Sequence, residues 1–318
     1  MLETPPRDVD PGSGWPANDR RPLDRDALCA DLLLPVGPLS RLGVVAETGS
    51  TNADLAAALA AHPEDWPDLS VLIAEHQGAG RGRAGRSWET PARTAVTLSL
   101  VLRPEGVPDA ALGWLPLLAG TATAAAIREV TQLRAVVKWP NDVLVTPPGL
   151  AELEGWGRHR KVAGILAEVV ATPTGPAVVV GIGVNVSQTA SELPVESGIS
   201  LAMAAPVRTT RDAVIRALLR AVGGRYRHWC EARGDAGASG IAAEVSAACV
   251  TLGQRVTVDR PGGEILIGVA ESLSGSGALR VVDDEGAVHD VLAGDVRQVR
   301  VGGRGRRRAG TPTPDSPR

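Results

Sequence analysis

Residues 161–186, KVAGILAEVVATPTGPAVVVGIGVNV, carry the pattern that decides the fold. Their β-branched runs at 161–170 and 177–186 predict two strands, because valine and isoleucine favour extended backbone. The TPTGP segment between the runs predicts a turn, since proline and glycine interrupt regular structure. Immediately upstream, 135–139 and 142–146 predict two shorter strands that are joined through a Pro-Asn turn. A β-sheet built from consecutive strands is therefore expected in the middle of the chain.

Three glycines lie inside the two longer strands. A glycine within a strand often marks a close approach of backbone or ligand, and Gly164 stands inside the first strand. Gly181 and Gly183 alternate in the second strand, so they share one face and leave a slot without side chains. The slot would admit a flat ligand or allow tight sheet packing, and the pattern leaves both interpretations open.

Further from this centre, apolar periodicity predicts the elements that surround the sheet. Predicted helices lie at 26–34, 51–61, 112–130, 211–229 and 241–248, and further predicted strands lie at 70–76 and 94–103. After residue 250 the pattern changes to short valine-rich segments with glycine turns between them, which is typical of a small all-β barrel. The sequence thus predicts an α+β domain at 25–245, with a mixed or antiparallel sheet and flanking helices, and a barrel at 246–302.

The ends and the composition of the chain limit its class. Its 318 residues correspond to about two domains, and residues 1–24 and 303–318 have the composition of a disordered leader and a disordered basic tail. No secretory signal is visible, no apolar run reaches the roughly 18 residues that span a bilayer, and the net charge of −3 does not favour nucleic-acid binding. Three cysteines without a CxxC pair argue against a disulfide framework or a zinc ribbon and predict a cytoplasmic protein.

Lysine is so rare in this chain that its positions are informative. Of 33 basic residues only Lys138 and Lys161 are lysines, and three of the four asparagines (Asn52, Asn141 and Asn185) lie in the same group of short motifs. A compact ammonium differs from the planar arginine fork, so we expect lysine where arginine would fail. Lys138 follows a run of valines, where a charge costs free energy unless it is paired, whereas Lys161 could also be an exposed charge at a strand end.

A loop rich in glycine and arginine, GAGRGRAGR at 78–86, places four glycines and three arginines within nine residues. Glycine lets the backbone approach a ligand closely, and arginine forks suit phosphate, so the loop predicts a phosphate-binding segment that folds over a nucleotide. The loop does not match the GxxxxGKS/T pattern of a P-loop. An RGG-like RNA-binding segment and a merely flexible loop are the alternatives.

Polar motifs stand beside the predicted elements. In ETGSTN (47–52), hydroxyls and a carboxamide at the start of a helix either bind a compact polar ligand or form an ordinary N-cap. In KWPND (138–142), Asn141 and Asp142 either orient a ribose or Mg²⁺ or make an Asx turn. Asn185, at the end of GIGVN, either hydrogen-bonds a ligand or caps a turn.

The chain has no pair of nucleophile and base, no GxSxG motif and no histidine spacing typical of a metal site. Its candidate site residues are cations, amides, hydroxyls and glycines. Such a set suits chemistry by positioning and charge stabilisation rather than by covalent catalysis.

The chain resembles biotin–protein ligases in five motifs that occur in the same order: TGSTN (48–52), GRGRAGR (80–86), KWPND (138–142), KVAGILAE (161–168) and GIGVN (181–185). The resemblance extends over 26–301 and implies a class II synthetase-like ligase domain followed by an SH3-like barrel. It implies that biotin and MgATP form biotinyl-5′-AMP and pyrophosphate. The biotinyl group then passes to one lysine of a biotin carboxyl carrier domain of acyl-CoA or pyruvate carboxylases. The resemblance also implies a protein that is monomeric or dimerises weakly with ligand.

The resemblance assigns roles to individual positions. Biotin contacts fall on Ser50, Thr51, Asn52, Gln77, Arg81, Gly82, Arg83, Lys161, Gly164 and Gly181. Contacts to ATP or the adenylate fall on Arg83, Arg86, Trp88, Lys138, Asn141 and Asn185. Catalytic roles fall on Lys161, Arg83, Lys138 and Asp142, where Lys161, Arg83 and Mg²⁺ would offset the repulsion between a carboxylate and the α-phosphate. Asp142 would help to orient the carrier lysine, and no protein ligand of the magnesium ion is assigned.

The chain departs from the family pattern in three places. Only 47 residues precede TGSTN, too few for the winged helix-turn-helix of some members, so no specific DNA binding is expected. No tryptophan lies between Val186 and Arg227, where some members carry one that stacks on adenine, so the adenine must pack elsewhere. The stretch 147–160 is longer and more glycine-rich than usual and is expected to form a surface loop.

Three other functions compete with this interpretation. A lipoate or octanoate ligase shares the architecture but carries an RRxxGGG-type segment, which GRGRAGR does not match. A non-catalytic nucleic-acid binder would need aromatic stacking residues near the basic loop, where only Trp88 is close. A degenerate ligase that binds biotin without turnover is disfavoured by the intact Lys138, Lys161 and Arg83.

Overall fold

A computed structural model describes residues 20–173, 175–260, 264–292 and 295–298, which form the predicted α+β domain followed by a small β domain. The helices of this part of the chain are α1 (Arg25–Leu32), α2 (Thr51–Ala61), α3 (Leu115–Thr131), α4 (Leu201–Ala204), α5 (Arg211–Glu231) and α6 (Ile241–Ala248). Its strands are β1 (Arg41–Val45), β2 (Ser70–Ala74), β3 (Ala95–Leu102), β4 (Ala135–Lys138), β5 (Asp142–Val145), β6 (Arg160–Val170), β7 (Ala177–Asn185), β8 (Arg255–Asp259), β9 (Ile265–Leu273), β10 (Leu279–Asp283), β11 (Val288–Val291) and β12 (Asp295–Gln298). α2 and α6 have the bounds that the sequence predicts.

Strands β1 to β7 form one sheet in the order β1-β2-β3-β7-β6-β5-β4. β1 and β2 are parallel and the other neighbouring pairs are antiparallel, so the sheet is mixed as predicted. The hairpin expected from residues 161–186 is formed by β6 and β7. β1 was not predicted, because only Leu42 of its five residues is fully buried and its sequence shows no alternation.

Helices cover both faces of this sheet. α3 and α5 pack on one face, and Ile165 of β6 belongs to the large core that they share. On the opposite face α2 buries Leu55 and Leu59 against Val101 and Val179. Residues that alternate along the central strands therefore contribute to two separate cores, which is the burial expected of a sheet covered on both sides.

One segment of the described chain, Asp109–Thr131, is long and apolar enough to cross a membrane by length and composition. Its most apolar window is 67% buried inside the domain, where α3 packs against the sheet and α5. Such burial is typical of a core helix. Threonine and glycine interrupt its apolar residues, so an uninterrupted run of this length was not expected.

The register of the sheet brings three of the motifs side by side. Thr97, Gly183, Gly164, Asp142 and Lys138 are successive cross-strand neighbours on β3, β7, β6, β5 and β4. Neighbouring strands lie about 4.8 Å apart, so residues of GIGVN, KVAGILAE and KWPND meet in one row although they are distant in the chain. The row places the cations and the glycine slot on the same part of the sheet.

Strands β8 to β12 form an antiparallel sheet in the order β11-β10-β9-β8-β12, in agreement with the predicted barrel. Two indole groups bind it to the larger domain: Trp114 Nε1 donates to the Gly275 carbonyl at 2.8 Å, and Trp139 Nε1 donates to the Gly277 carbonyl at 3.2 Å. The backbone N–H of Trp139 also donates to Thr251 Oγ1 at 3.0 Å. Because Trp139 belongs to KWPND, the small domain is attached directly beside candidate site residues.

Most of the predicted disordered leader and all of the predicted basic tail lie outside the described residues. Residues 20–24 differ from the prediction, because Arg20 donates to Glu192 at 2.6 and 2.8 Å and Leu23 is buried. Asp24 caps α1 by accepting from the backbone N–H of Ala27. The contact between Arg20 and Glu192 joins residues that are 172 positions apart, so no local pattern could indicate it.

Candidate functional site

A cleft of about 490 Å³ lies on the face of the large sheet that carries α2, and it extends to Asp259 and Val296 of the small domain. It is lined by every residue to which the sequence analysis assigned a role: Ser50, Thr51, Asn52, Gln77, Arg81, Gly82, Arg83, Arg86, Trp88, Lys138, Asn141, Asp142, Lys161, Gly164, Gly181 and Asn185. The five motifs, which are separate in the chain, therefore surround one cavity.

One end of the cleft, which we call the α2 end, is formed by the buried residues Ser50, Thr51, Asn52 and Gln77. Ser50 is the N-cap of α2, and its hydroxyl accepts from the backbone N–H of Ala53 at 3.4 Å. The N-cap interpretation is confirmed for this residue. Its neighbours Thr51 and Asn52 then point away from the cap as the first residues of the helix, where they line the cleft.

The polar side chains of the α2 end bond one another. Thr51 donates from its backbone N–H and its hydroxyl to Gln77 Oε1, at 2.8 and 2.9 Å. Ser99 Oγ lies 2.7 Å from Thr51 Oγ1 and 2.6 Å from Asn52 Oδ1, and Asn52 Nδ2 donates to Glu168 Oε2 at 2.6 Å. Ser99 was missed from sequence because it lies in a mostly apolar strand outside the five motifs. The network holds these groups in position, and buried polar groups of this kind are normally bonded.

The face of β7 that lines the cleft explains the two alternating glycines. Val179 on this face packs beneath α2, and Gly181 and Gly183 continue the same face. A Cβ atom at Gly181 would lie 2.4 Å from Asn52 Oδ1, and one at Gly183 would lie 2.4 Å from the indole of Trp88. The two glycines leave the space that the sequence predicts, and the Asn52 amide and the Trp88 indole pack into it, as the tight-packing interpretation expects.

The Trp88 indole also covers the glycine of the neighbouring strand. A Cβ atom at Gly164 would lie 3.3 Å from the Trp88 ring and 3.1 Å from Lys161 Nζ, and that ammonium lies 5.4 Å from the ring centroid. Trp88 Nε1 is buried and has no hydrogen-bond partner in the described part of the chain. Because buried donors are normally bonded, this indole N–H is suited to an acceptor atom of a ligand.

Asp142 of this row forms an ion pair with Lys161 of the neighbouring strand β6. Lys161 Nζ lies 2.6 Å from Asp142 Oδ1, and the side chains are 26% and 17% exposed. Partial burial strengthens such a pair relative to one in open water. The sequence placed both residues in the site, and the antiparallel register of β5 and β6 brings them together. The pair offers a cation for an incoming anion and a carboxylate for an incoming amine.

The glycine- and arginine-rich loop forms a tight turn beside the α2 end. Gly82 donates from its backbone N–H to the Arg86 carbonyl at 2.6 Å, and Arg86 Nε donates to the Arg83 carbonyl at 3.3 Å. Arg81 lies 3.9 Å from Glu168, the carboxylate that also accepts from the α2-end network. All three arginines line the cleft. Three guanidinium groups in the wall of one cleft suit an anionic ligand.

The other end of the cleft, which we call the turn end, is formed by 138–142, 154–156 and 193–198. Lys138 Nζ lies 4.2 Å from the centroid of the Trp156 ring, within the range of a cation–π contact. The stretch that contains Trp156 forms the surface loop that was expected, and three of its residues also line the cleft. A tryptophan in a chain with 3% aromatic residues was the signal that could have indicated it.

Two asparagines that line the cleft also bond the protein backbone or a neighbouring amide. Asn141 Nδ2 donates to the Ile165 carbonyl at 2.8 Å. Asn185 Nδ2 donates to the Ile199 carbonyl at 3.1 Å, and its Oδ1 accepts from Gln188 Nε2 at 3.0 Å. Asn141 thus bonds β6, 24 residues along the chain, rather than forming the Asx turn of its structural interpretation, and Asn185 connects the end of β7 to the segment that follows it. Their contacts to a ligand remain predictions.

The cleft is lined by five cations, which are the three loop arginines and the two lysines, and by the carboxylates of Glu89, Asp142, Glu154 and Asp259. No group of three or more His, Cys, Asp and Glu side chains forms a cation site among the described residues. Preorganised cations stabilise anions and the negative charge that develops between them. The geometry therefore suits the binding and joining of two anionic molecules.

Two family models match the parts of the chain that build this site. Residues 48–185 match the biotin/lipoate A/B protein ligase family, and residues 251–297 match the biotin protein ligase C-terminal domain. The first segment contains all five motifs, and the second contains most of the small domain. The match thus includes both parts of the molecule that meet at the cleft.

The similarity to known proteins extends over most of the chain. The chain is 40% identical over 286 residues to a biotin–acetyl-CoA-carboxylase ligase of Mycobacterium tuberculosis, which amounts to 88% of this chain and 97% of the relative. A ligase of the same name from Paracoccus denitrificans is 32% identical over 242 residues, or 74% of this chain and 92% of the relative. The structure of a biotin protein ligase from Aquifex aeolicus in complex with biotin and ATP is similar with a TM-score of 0.64 at 25% identity, and the match covers 82% of this chain and 100% of that one.

Proposed function

The chain belongs to the biotin protein ligase family, and from that premise we propose how its cleft performs the reaction. It is a biotin ligase, for which biotin and ATP are the substrates. The observation that carries the assignment of its residues is that all five motifs line one cleft, with a bonded polar network and the loop arginines at the α2 end and Lys138 at the turn end. We assign biotin to the α2 end and ATP to the turn end.

Biotin at the α2 end would meet groups that complement its ureido ring. That ring has one carbonyl acceptor and two N–H donors, and the buried hydroxyl and amide groups at this end supply partners for each. The residues we propose to contact biotin are Ser50, Thr51, Asn52, Gln77, Arg81, Gly82, Arg83, Lys161, Gly164 and Gly181. The apolar side chain of biotin would run along the Trp88 indole, which covers the glycines and lies beside Lys161.

The first half-reaction joins two anions. A carboxylate oxygen of biotin attacks the α-phosphorus of ATP, an oxygen–phosphorus bond forms, and the bond to pyrophosphate breaks. Lys161, Arg83 and the magnesium ion that accompanies ATP would offset the repulsion and stabilise the charge of the transition state. Lys138 and Arg86 would hold the leaving pyrophosphate. Trp88, Asn141 and Asn185 would contact the adenylate.

The second half-reaction requires an amine beside the adenylate. The neutral amine of a carrier lysine attacks the biotinyl carbonyl carbon, a carbon–nitrogen bond forms, the bond to AMP breaks, and the amine loses a proton. A phosphate bound to Lys161 would compete with Asp142 for the Lys161 ammonium, which lies 2.6 Å from the carboxylate. The Asp142 carboxylate would then be available to orient the incoming amine. The ion pair thus offers one partner to each half of the reaction.

We propose a biotin carboxyl carrier domain as the acceptor, since two relatives are named as ligases of acetyl-CoA carboxylase. We assign the ligase domain to 25–245 and the barrel to 246–302. The three free cysteines support a cytoplasmic location. We also propose that the protein is a monomer or a weak ligand-dependent dimer, and that it does not bind DNA specifically. Sedimentation with and without biotin and ATP tests the oligomeric state.

The experiment that tests this function is pyrophosphate release from MgATP with biotin, lipoate or octanoate supplied separately. We expect a burst with biotin alone and a bound product with the mass of biotinyl-5′-AMP. Addition of a purified carrier domain should then add one biotinyl group to it. A burst with lipoate or octanoate would overturn the substrate, and no burst with any acid would overturn the enzymatic assignment.

A further inference from the structure

The turn end contains an aromatic ring to which the reaction described above assigns no role. Three tryptophans line the cleft in the described residues: Trp88, Trp139 and Trp156. Trp88 covers the glycine slot, and Trp139 is 2% exposed with its indole N–H bonded to the small domain. Trp156 is only half-buried and lies on a loop beside Lys138. Its ring is therefore the tryptophan surface that the turn end offers to a ligand.

The tip of the loop has a defined hairpin geometry. Leu153 donates from its backbone N–H to the Gly157 carbonyl at 2.7 Å, and Gly157 donates back to the Leu153 carbonyl at 2.8 Å. Trp156 donates from its backbone N–H to the same Leu153 carbonyl at 3.0 Å. Gly155 and Gly157 have φ angles of +74° and +57°, which glycine adopts without strain. The loop therefore presents Trp156 from a tight turn.

The base of the loop has a polar scaffold of its own. Arg160 is 7% exposed, and its guanidinium donates to the carbonyls of Ala151, Gly157 and His159 at 2.9 to 3.2 Å. His159 Nδ1 lies 2.7 Å from Thr146 Oγ1, which connects the end of the loop to its beginning. A buried arginine that bonds three carbonyls of one loop fixes the shape of that loop. Its shape in turn fixes the position of the Trp156 ring.

The neighbour of the ring indicates which part of the nucleotide it would meet. Lys138 Nζ lies 4.2 Å from the Trp156 centroid, and Lys138 is the residue that we assign to phosphate. Ribose joins the phosphates of ATP directly to adenine, so a flat surface beside a phosphate-binding cation is within reach of the base. Aromatic side chains bind bases by stacking. The segment after β7, where no tryptophan occurs before Arg227, does not supply such a ring.

We propose that the adenine of ATP stacks on Trp156 in this enzyme and that the loop 147–160 positions the Trp156 ring. The proposal rests on the assignment of ATP to the turn end. Loss of the ring removes the stacking of one base, which corresponds to a loss of affinity of roughly tenfold to a hundredfold. The phosphates keep their cations, so affinity for a phosphate chain without a base is unchanged.

The experiment measures equilibrium binding of MgATP and of inorganic tripolyphosphate to the full chain. An alcohol analogue of biotin, which lacks the reacting carboxylate, is present so that no turnover occurs. We expect W156A to weaken MgATP binding tenfold to a hundredfold, and to leave the affinities for tripolyphosphate and for biotin within twofold. W156F keeps an aromatic ring and should recover most of the affinity. Thermal unfolding midpoints show that each variant folds.

The matched control is W66A, because Trp66 is another half-buried tryptophan with a cation, Arg41, 4.1 Å from its ring centroid. It lies outside the cleft lining, and we expect MgATP affinity to be unchanged. Unchanged MgATP affinity in W156A overturns the proposal. Equal weakening of MgATP and tripolyphosphate also overturns it, because Trp156 would then act only by holding Lys138. If the wild type forms no biotinyl adenylate, the proposed function is refuted instead. The ratios of W156A to wild-type affinity for MgATP and for tripolyphosphate still decide the role of Trp156.

Discussion

The two ends of the cleft are built in different ways. At the α2 end, Thr51, Asn52, Gln77 and Ser99 come from a helix, a strand and a strand end, are at most 7% exposed, and bond one another. At the turn end, the lining residues at 154–156 and 193–198 come from loops and most are half-buried or exposed. One end is thus complete before a ligand arrives, whereas the other depends on loop conformation.

This difference indicates how the enzyme divides its binding energy. A preformed network loses little conformational entropy when a ligand binds, so the α2 end is suited to selecting a small, rigid ring. Loops that border a cleft can close over a second ligand and exclude water from a reactive intermediate. We therefore expect changes at the α2 end to alter affinity for biotin alone, and changes near the turn end to alter nucleotide binding.

Replacement of Lys161 by alanine should have the largest effect, because Lys161 lies where the two ends meet. It contacts Asp142 of the turn end and lies above the glycine slot of the α2 end. Loss of one preorganised charge at a reacting phosphate costs about 10²- to 10³-fold in rate. We expect biotin-dependent pyrophosphate release to fall by at least that factor, with an unfolding midpoint near that of the wild type. Near-normal release would refute the role of Lys161.

Replacement of Gly181 by alanine should weaken biotin binding without altering tripolyphosphate binding. The new Cβ would lie 2.4 Å from Asn52 Oδ1, so the amide must move away from Ser99 and Glu168. Overpacking of this kind costs about 1–3 kcal/mol of stability. Because the displaced amide no longer meets biotin, we expect biotin affinity to fall roughly tenfold, which corresponds to about one lost hydrogen bond. Calorimetric titration with biotin and with tripolyphosphate measures whether the substitution affects only one end of the cleft.

The matched control for Gly181 is alanine at Gly224, where a Cβ would meet no atom within 4 Å. Gly224 lies within α5, so alanine there should leave biotin affinity unchanged and raise stability slightly. If Gly181→Ala weakens biotin and tripolyphosphate equally, the two ends do not bind their ligands independently. That result would remove the contrast on which the division of roles depends.

A smaller effect is expected at Glu192, which belongs to the segment between β7 and the loop at 193–198. Hydrogen bonds from Arg20 lower the pKa of Glu192 to about 2 from an ordinary 4.5. A carboxyl whose pKa falls on folding stabilises the protein above its unfolded pKa, and this contribution is lost as the pH decreases from about 4.5 towards 2. Glu192→Gln should therefore cost about 1 kcal/mol at pH 7, after allowance for solvent screening, and less below pH 4.5.

Urea denaturation of wild type and Glu192→Gln at pH 7, 5 and 3.5 measures this difference. The free energies of unfolding should differ at pH 7 and 5 and approach each other at pH 3.5. An equal difference at all three pH values would show that the Arg20 contact is not the cause. MgATP affinity should change less than twofold, since neither Arg20 nor Glu192 lines the cleft.

Much of this site could be predicted because its motifs are short and contiguous. Each motif combines residues whose chemistry is local: Ser50 caps the helix that it precedes, and Gly181 and Gly183 alternate along one strand. The hairpin of β6 and β7 is a local pairing with a turn between its strands. Such features depend on neighbours in the chain, so residue type and spacing are sufficient to indicate them.

Other features depend on contacts that no local pattern contains. β1 becomes a strand by parallel pairing with β2, and Arg20 is held by Glu192 from the other end of the ligase domain. Ser99 joins the α2-end network only because β3 lies beside β7 in the sheet. Trp156 lines the cleft only because the packing of its loop brings it there.

The sequence by itself determined most of the elements, the five motifs, the two rare lysines and hence the chemistry of cations and anions. Only the tertiary structure decided that Lys161 faces Asp142, that Trp88 covers the glycines and that the loop 147–160 lines the cleft. The physical reason is the distance along the chain over which each kind of interaction acts. Propensity, capping and periodicity act over a few residues, whereas strand register and loop packing join residues that are distant in the chain.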